Sequence, residues 1–309
     1  MSNKKAKSVS YSKWGYVFIA PFFISFLIFS LYPLFTTFYY SFFERFRIGF
    51  VEHGPYFVGM QNYENIIESA STGYGLWRYF NNTLIMWLIG FIPQLAVSLL
   101  LAVWFTDSRL NLKAQGFFKT VIYLPNIIMA AAFAMLMVTL FDNTGPVNDT
   151  LIALGFTDEP IRFLTTTFGA RGIIGLMNFL MWFGSTTILL MAAMMGIDPA
   201  IFEAAEIDGA DAKNMFTKIT LPLINPILMY VLITSMIGGL QMFDIPQVLT
   251  NTSGGPNRTT MTMIMYLNQH LFSRNFGMAG AISVVLFIGM GLLSFFVFKL
   301  VASDATGSK

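Results

Sequence analysis

Long apolar runs separated by shorter polar connections dominate the pattern of this chain. Each run is long enough to cross the ~30 Å hydrocarbon core of a bilayer as a helix. The pattern predicts an all-α integral membrane protein with six transmembrane helices in one domain, between an N-terminal tail at 1–13 and a C-terminal tail at 299–309. The six runs fall at about 14–43, 80–105, 117–141, 172–196, 221–243 and 276–298.

One connection, at 198–222, has a well-defined helical pattern. Asp198 is a good N-cap, Pro199 suits the first helical turn and Gly209 is a natural stop. These signals predict a short helix over 199–208, then a second short helix and a bent entry into the fifth run. The other long connections are rich in Gly, Asn, Asp and Pro, which predicts loops with short surface helices; they lie at 44–79, 142–171 and 244–275.

Composition agrees with the hydropathy pattern. The chain has 309 residues, of which 55% are hydrophobic and 11% charged, and its mean hydropathy is +0.64. These values lie outside the range of an ordinary soluble domain. With no cysteine, disulfides, zinc-thiolate sites and cysteine nucleophiles are excluded. A net charge of +2 argues against nucleic acid as a partner.

Basic residues predict the orientation of the chain. If the N-terminus is cytoplasmic, the inner segments hold eleven basic residues, including all ten lysines, and the outer segments hold seven. This bias favours cytoplasmic termini. The connection at 198–222 departs from the bias because acids outnumber its lysines, and it therefore needs a separate explanation. Its acids are Asp198, Glu203, Glu206, Asp208 and Asp211.

The predicted spans contain no Asp, Glu, Arg or His. Carriers coupled to protons usually need an ionisable group at membrane depth, whereas carriers coupled to sodium can use carbonyls and hydroxyls. The chain also lacks the GxxxxGK[ST] pattern of a P-loop, so energy from ATP has to arrive through another polypeptide. No catalytic constellation is present, and the spacing of His53 and His270 does not suggest a metal site.

Three motifs carry a resemblance to a known family. The stretch EAAEIDGADAKNMFTKITLPLINP from Glu203 resembles the EAA loop of bacterial ABC importer permeases. The stretch VLTNTSGGPNRTT at 248–260 is similar to the LT-GGP loop of maltose-type sugar permeases, although Thr252 and Ser253 separate its two halves. NFGMAGAISVVLF at 275–287 resembles the start of their last helix. No large outer domain is inserted between the early helices.

The resemblance implies the MetI-like fold of these permeases and a location in the bacterial cytoplasmic membrane. It also implies a partner set: a second, homologous permease, two copies of an ABC ATPase that binds ATP and magnesium, and an extracytoplasmic sugar-binding protein. This chain would bind no cofactor itself. The family's coupling role transfers to Glu203, Ala204, Ala205, Asp208 and Gly209.

Polar and aromatic residues within the spans are candidates for sugar contacts, because a saccharide needs hydrogen bonds for its hydroxyls and flat surfaces for its rings. Asn178, Trp182 and Ser185 share one face of the fourth span. Ser235, Gly239 and Gln241 lie in the fifth span. The alternative is that these residues only join transmembrane helices, since Ser and Asn often hydrogen-bond between them.

The sequence favours a permease subunit that transports a sugar, with oligosaccharides favoured by the resemblance. Two other interpretations stay open. A sodium-coupled carrier would transport its solute alone with an ion gradient. A membrane-embedded enzyme or scaffold would act without any ATPase.

Overall fold

The computed structural model describes residues 12–71, 73–107, 110 and 113–305. The chain divides into two compact units. The smaller unit runs up to Asn65 and includes His270–Val285, and the larger unit comprises Ile66–Gln269 with the residues from Leu286 onward. Some basic residues used to predict the orientation lie outside the described residues: Lys4, Lys5, Lys7, Arg109 and Lys309.

Five helical stretches among the described residues are long and apolar enough to cross a membrane. They are Lys13–Tyr40, Leu76–Thr106, Thr167–Met195, Ala212–Leu249 and Phe276–Lys299. Several extend beyond the runs predicted from hydropathy. As a result Arg171 and Asp244, which the sequence placed outside the spans, lie within helical stretches.

The third predicted span, 117–141, is not one straight helix. Two helices, α5 (Gln115–Ile127) and α6 (Ala130–Leu140), meet at an angle of 93°. Ile128 and Met129 between them have extended backbone angles. Asn126 donates a 3.0 Å hydrogen bond to the carbonyl of Met181, which fixes the end of α5 against a neighbouring helix. The predicted span therefore consists of two shorter helices.

The smaller unit contains two strands in addition to its helices. Its N-terminal span consists of α1 (Ser12–Phe26), a π-helical stretch (Leu27–Leu31) and α2 (Tyr32–Tyr40). An antiparallel hairpin of β1 (Phe43–Ile48) and β2 (Val51–Phe57) follows, with irregular register between Glu44 and Phe46. Arg274 donates a 3.0 Å hydrogen bond to the carbonyl of Gly49, which holds the hairpin turn. The sequence had predicted this region as a loop.

The remaining helices are α3 (Gln61–Ser71), α4 (Leu76–Thr106), α7 (Pro146–Ala153), α8 (Thr167–Met195), α9 (Pro199–Ile207), α10 (Ala212–Asn214), α11 (Leu221–Leu240), α12 (Asp244–Leu249), α13 (Met263–Phe272) and α14 (Phe276–Ala305). A short 3-10 turn (Phe163–Thr165) precedes α8, and a π-helical stretch (Met215–Thr220) joins α10 to α11.

Two apolar clusters organise the larger unit around α4 and α8. The first is rich in methionine and lies where α4, α6, α8 and α12 meet; its members include Met86, Met137, Met177, Met181 and Met242. Methionine fills irregular gaps between helices well because its side chain is unbranched and flexible. The second cluster joins α4 and α8 to α11, and its buried members are Ala102, Leu190, Met191, Met194 and Ile224.

Candidate functional site

The short helix predicted in the fourth connection is present as α9. The carboxylate of Asp198 accepts a 3.0 Å hydrogen bond from the backbone N–H of Ala200, which caps the helix as the sequence predicted. At the other end, the N–H groups of Ala210 and Gly209 donate to the carbonyls of Ala205 and Glu206 at 2.9 and 3.0 Å. These two bonds form a Schellman motif, which needs a left-handed residue after the cap. Gly209 supplies it, with φ +77°.

The two faces of α9 differ in exposure. Phe202 and Ala205 are half-buried, whereas Glu203 and Ala204 are exposed. Ile207 lies on the exposed side and is 87% accessible, although it is apolar. No residue of α9 is buried. The helix therefore has a mixed apolar and acidic surface that no described part of this chain covers.

Both chain segments that flank α9 are fixed to the second apolar cluster. Before α9, the end of α8 contributes Leu190 and Met194 to this cluster. After α9, Asp211 accepts a 2.7 Å hydrogen bond from the N–H of Asn214, and Phe216 then packs against the same cluster. A displacement of α9 would consequently act on α4, α8 and α11 together.

A cavity of about 530 Å³ lies within the larger unit, among α4, α8, α11 and the start of α12. All six residues that the sequence proposed as sugar contacts line it; three lie on α8, and the other three lie at the end of α11 or just after it. They are Asn178, Trp182, Ser185, Ser235, Gly239 and Gln241. The five residues of the EAA motif do not line this cavity.

The six proposed contacts differ in how available they are. Trp182 is 52% exposed and Gln241 is also exposed, so both could contact a solute. The amide of Asn178 already donates to the carbonyl of Ile174 at 3.0 Å and approaches the sulfur of Met242 at 3.5 Å. Ser185 donates to the carbonyl of Trp182 in its own helix at 3.0 Å.

Trp87 of α4 connects two of these positions, although the sequence analysis did not select it. Its indole Nε1 donates a 3.1 Å hydrogen bond to Oγ of Ser235. A Cβ built at Gly239 would meet the indole ring of Trp87, so the ring needs a glycine at that position. The ring also stacks on Phe91, with centroids 4.9 Å apart and planes at 17°. Together they form a flat aromatic wall.

Other lining residues that the sequence analysis missed are Phe91, Gln94, Thr186, Tyr230 and Asp244. Gln94 donates a 2.8 Å hydrogen bond to Oγ1 of Thr186, which joins α4 to α8 within the cavity wall. The sequence could have pointed to Gln94, because a polar residue within an apolar transmembrane run often marks a functional site.

The loop similar to the LT-GGP motif is fastened to the larger unit by arginine and asparagine side chains. Arg171 donates to the carbonyl of Thr259 at 3.0 Å and to Oδ1 of Asn82 at 2.7 Å. The amide of Asn82 donates to the carbonyl of Arg258 at 2.9 Å. Arg78 donates to the carbonyl of Asn257 at 2.8 Å. The loop is therefore anchored at several points and presents a defined surface.

Nothing in the described part of the chain suggests a metal centre, since no three acidic or histidine side chains come together there. His53 stacks on Phe46, with ring centroids 5.0 Å apart.

Residues 94–306 match the family described as "Binding-protein-dependent transport system inner membrane component". The chain belongs to this family. It is thus a multi-pass membrane protein and a component of a transport system, not an enzyme. The resemblance drawn from the EAA and LT-GGP motifs is confirmed at the level of the family, and the helical permease fold is confirmed with it.

Two relatives cover nearly the whole of this permease. It is 31% identical to the lactose transport system permease protein LacF of Rhizobium radiobacter, over 92% of each chain. It is 32% identical to the arabinooligosaccharides transport system permease protein AraP of Bacillus subtilis, over 96% of this chain and 92% of that one.

A solved structure has the same fold. A chain of a bacterial ABC transporter that imports the acidic polysaccharide alginate superimposes with a TM-score of 0.77, at 23% identity, and covers 94% of this chain and 96% of that one. At this level of identity the likeness establishes the fold alone.

Proposed function

We propose that this permease is one of two membrane subunits of an ATP-driven importer of a saccharide, with oligosaccharides favoured. The second subunit is a homologous, non-identical permease, and two copies of a separate ATPase bind ATP and magnesium. An external binding protein delivers the sugar. Both termini and α9 face the cytoplasm, in the orientation that the basic residues favour.

The cavity is the observation that carries the saccharide assignment. Its wall combines the Trp87–Phe91 aromatic pair with amide and hydroxyl groups, which is the chemistry that a neutral sugar ring requires. Relatives named for lactose and for arabinooligosaccharides fit this assignment. In the proposal, Asn178, Trp182, Ser185, Ser235, Gly239 and Gln241 belong to the substrate path.

The exposed helix α9 supports coupling to a separate ATPase. Glu203, Ala204 and Ile207 form a surface that is part acidic and part apolar, and such surfaces suit a protein partner. Because the segments on both sides of α9 are fixed to one apolar cluster, closure of the ATPase would be transmitted to α8 and α11. In this proposal, Asp208 and Gly209 set the angle at which α9 leaves the membrane domain.

In the proposed transport cycle, the cavity binds the sugar and α9 contacts the ATPase. The loaded binding protein docks on the outer loops, ATP closes the ATPase dimer, and the two α9 helices move together. The cavity of this permease, which faces the second permease in the proposal, opens outward and receives the sugar. Hydrolysis then returns the permeases to the inward-facing state. ATP binding drives the outward-opening step and ATP hydrolysis completes the cycle, so the free energy for import comes from the partner ATPase.

Purification of this permease from native membranes tests the proposal. We expect a P-loop ATPase and a second permease with an EAA motif to remain attached, and sugar uptake into reconstituted vesicles to require ATP. A chain that purifies alone and accumulates solute on a sodium gradient would instead be a secondary carrier. Chemistry on lipid or peptide without an ATPase would indicate an enzyme or a scaffold.

A further inference from the structure

The cavity contains a charge that the sequence analysis did not consider. Asp244 lies in the first turn of α12 and is exposed, and it lines the cavity beside Gln241 and Phe243. Its position is well defined, because its neighbours Ile245 and Leu249 are buried in the methionine-rich cluster. Among the described residues that line the cavity, Asp244 is the one carboxylate, and none is Lys, Arg or His.

Among the described residues of its unit, none forms an ion pair with the carboxylate of Asp244. The ion pair found among the described residues joins Arg45 to Glu52, and both belong to the smaller unit. The arginines of the larger unit that were described above donate instead to backbone carbonyls of the 248–260 loop and to Asn82. The charge of Asp244 is therefore available to whatever enters the cavity.

An unpaired negative charge in a cavity with apolar walls acts strongly on charged solutes, because low-dielectric walls weaken screening. A saccharide hydroxyl or ammonium group can donate a hydrogen bond to a carboxylate. The carboxylate group of a uronate and the largely dianionic phosphate group of a sugar phosphate cannot donate such a bond, and the negative charge of Asp244 repels them. The charge thus discriminates between solutes that the hydroxyl and aromatic groups of the cavity would accept equally.

We infer that Asp244 sets the charge preference of the translocation cavity, which admits neutral and amine-bearing saccharides and disfavours saccharides that carry a carboxylate or a phosphate. This inference rests on the proposed function, since it requires that the cavity binds sugar.

Direct binding to the reconstituted importer, without the external binding protein, tests the inference. A panel of neutral di- and trisaccharides identifies the tightest neutral ligand, which is then compared with derivatives that carry one primary amine or one carboxylate. We expect the carboxylate derivative to bind wild-type importer ~10-fold more weakly than the neutral sugar. In Asp244→Asn this difference should shrink to within about twofold, and the amine derivative should lose affinity.

Two further variants separate charge from structure. Asp244→Glu keeps the charge and should keep the preference. Asp149→Asn makes the same change in the first turn of another short helix, α7, where the residue is exposed and does not line the cavity. It should leave all three affinities unchanged.

The outcomes that overturn the inference are distinct from failure of the proposed function. If no neutral saccharide binds the wild-type importer, the proposed function fails and the inference fails with it. If neutral sugars bind but Asp244→Asn leaves the preference unchanged, only the inference is wrong. If Asp244→Asn, but not Asp149→Asn, releases the second permease, Asp244 is an interface residue and the inference is likewise wrong.

Discussion

The indole N–H of Trp87 donates a 3.1 Å hydrogen bond to the hydroxyl of Ser235, and this bond ties α4 to α11 across the wall of the cavity. Trp87 is 9% exposed, so its N–H has little access to water. The contact holds the Trp87–Phe91 pair in place beside the cavity.

Loss of the Ser235 hydroxyl should destabilise the permease. Ser235→Ala leaves the indole N–H of Trp87 without its partner, and an unsatisfied buried donor costs about 1–3 kcal/mol. The thermal midpoint of the purified complex should fall. Ser185→Ala is the matched control, because Ser185 bonds only to a carbonyl of its own helix and its loss should change stability by less than about 0.5 kcal/mol. Equal shifts in both variants would contradict the role given to the Trp87 contact.

The paired glycines at the end of α11 should respond differently to a single methyl group. Gly239→Ala pushes a Cβ into the ring of Trp87, whereas a Cβ at Gly238 meets nothing within 4 Å. Overpacking of this kind costs about 1–3 kcal/mol, which corresponds to roughly tenfold in an equilibrium. We expect Gly239→Ala to reduce sugar uptake by about tenfold and Gly238→Ala to change it by less than about twofold. Sugar uptake by the two variants, measured in parallel vesicle preparations, tests this difference. Equal uptake by both would contradict the close contact between Gly239 and Trp87.

The effect of a substitution at Gly209 should depend on whether the new residue tolerates the backbone conformation there, and not on the volume of its side chain. Gly209 has φ +77°, and a Cβ there would meet nothing within 4 Å. A β-branched residue resists this region by about 1–2 kcal/mol, whereas Asn tolerates it better. Gly209→Val should therefore lower sugar-stimulated ATP hydrolysis, and Gly209→Asn should retain most of it. If Val and Asn had the same effect, conformation at this residue would not govern coupling.

A charge placed on the exposed face of α9 should uncouple the importer without unfolding it. Ile207 is 87% exposed, so Ile207→Asp should change the stability of the permease by less than about 0.5 kcal/mol. Its contact with the ATPase should nevertheless weaken, and ATP-driven uptake should fall by about tenfold or more. Sugar binding by the purified complex is the control and should be unchanged.

Hydropathy and capping signals predicted much of this architecture because both are local. The side chain of Asp198 caps the start of α9, and the positive φ of Gly209 ends the helix. Both effects act within a few residues along the chain. The cavity residues of α8 could also be found, because Asn178, Trp182 and Ser185 share one face of a helix.

The features that were missed depend on contacts distant in sequence. A proline kink was expected at Pro125 in the third span, but the 93° break lies beyond it at Ile128 and Met129, and hydropathy gave no sign that the span divides into two helices. The hairpin was hidden because its register shifts between Glu44 and Phe46, which disrupts the alternation that marks a strand. Trp87 of α4 was missed because its role depends on Ser235, 148 residues away.

Cross-linking from position 207 tests the central claim most directly. The chain has no cysteine, so Ile207→Cys offers a single attachment point for a photoactivatable probe. Phe156→Cys, on an exposed apolar residue that follows α7 in a predicted outer connection, is the matched control. We predict that the probe at 207 labels the P-loop ATPase in transport-active membranes and that the probe at 156 does not. If the probe at 207 labels no ATPase while ATP-driven uptake proceeds, energy does not enter this permease through α9.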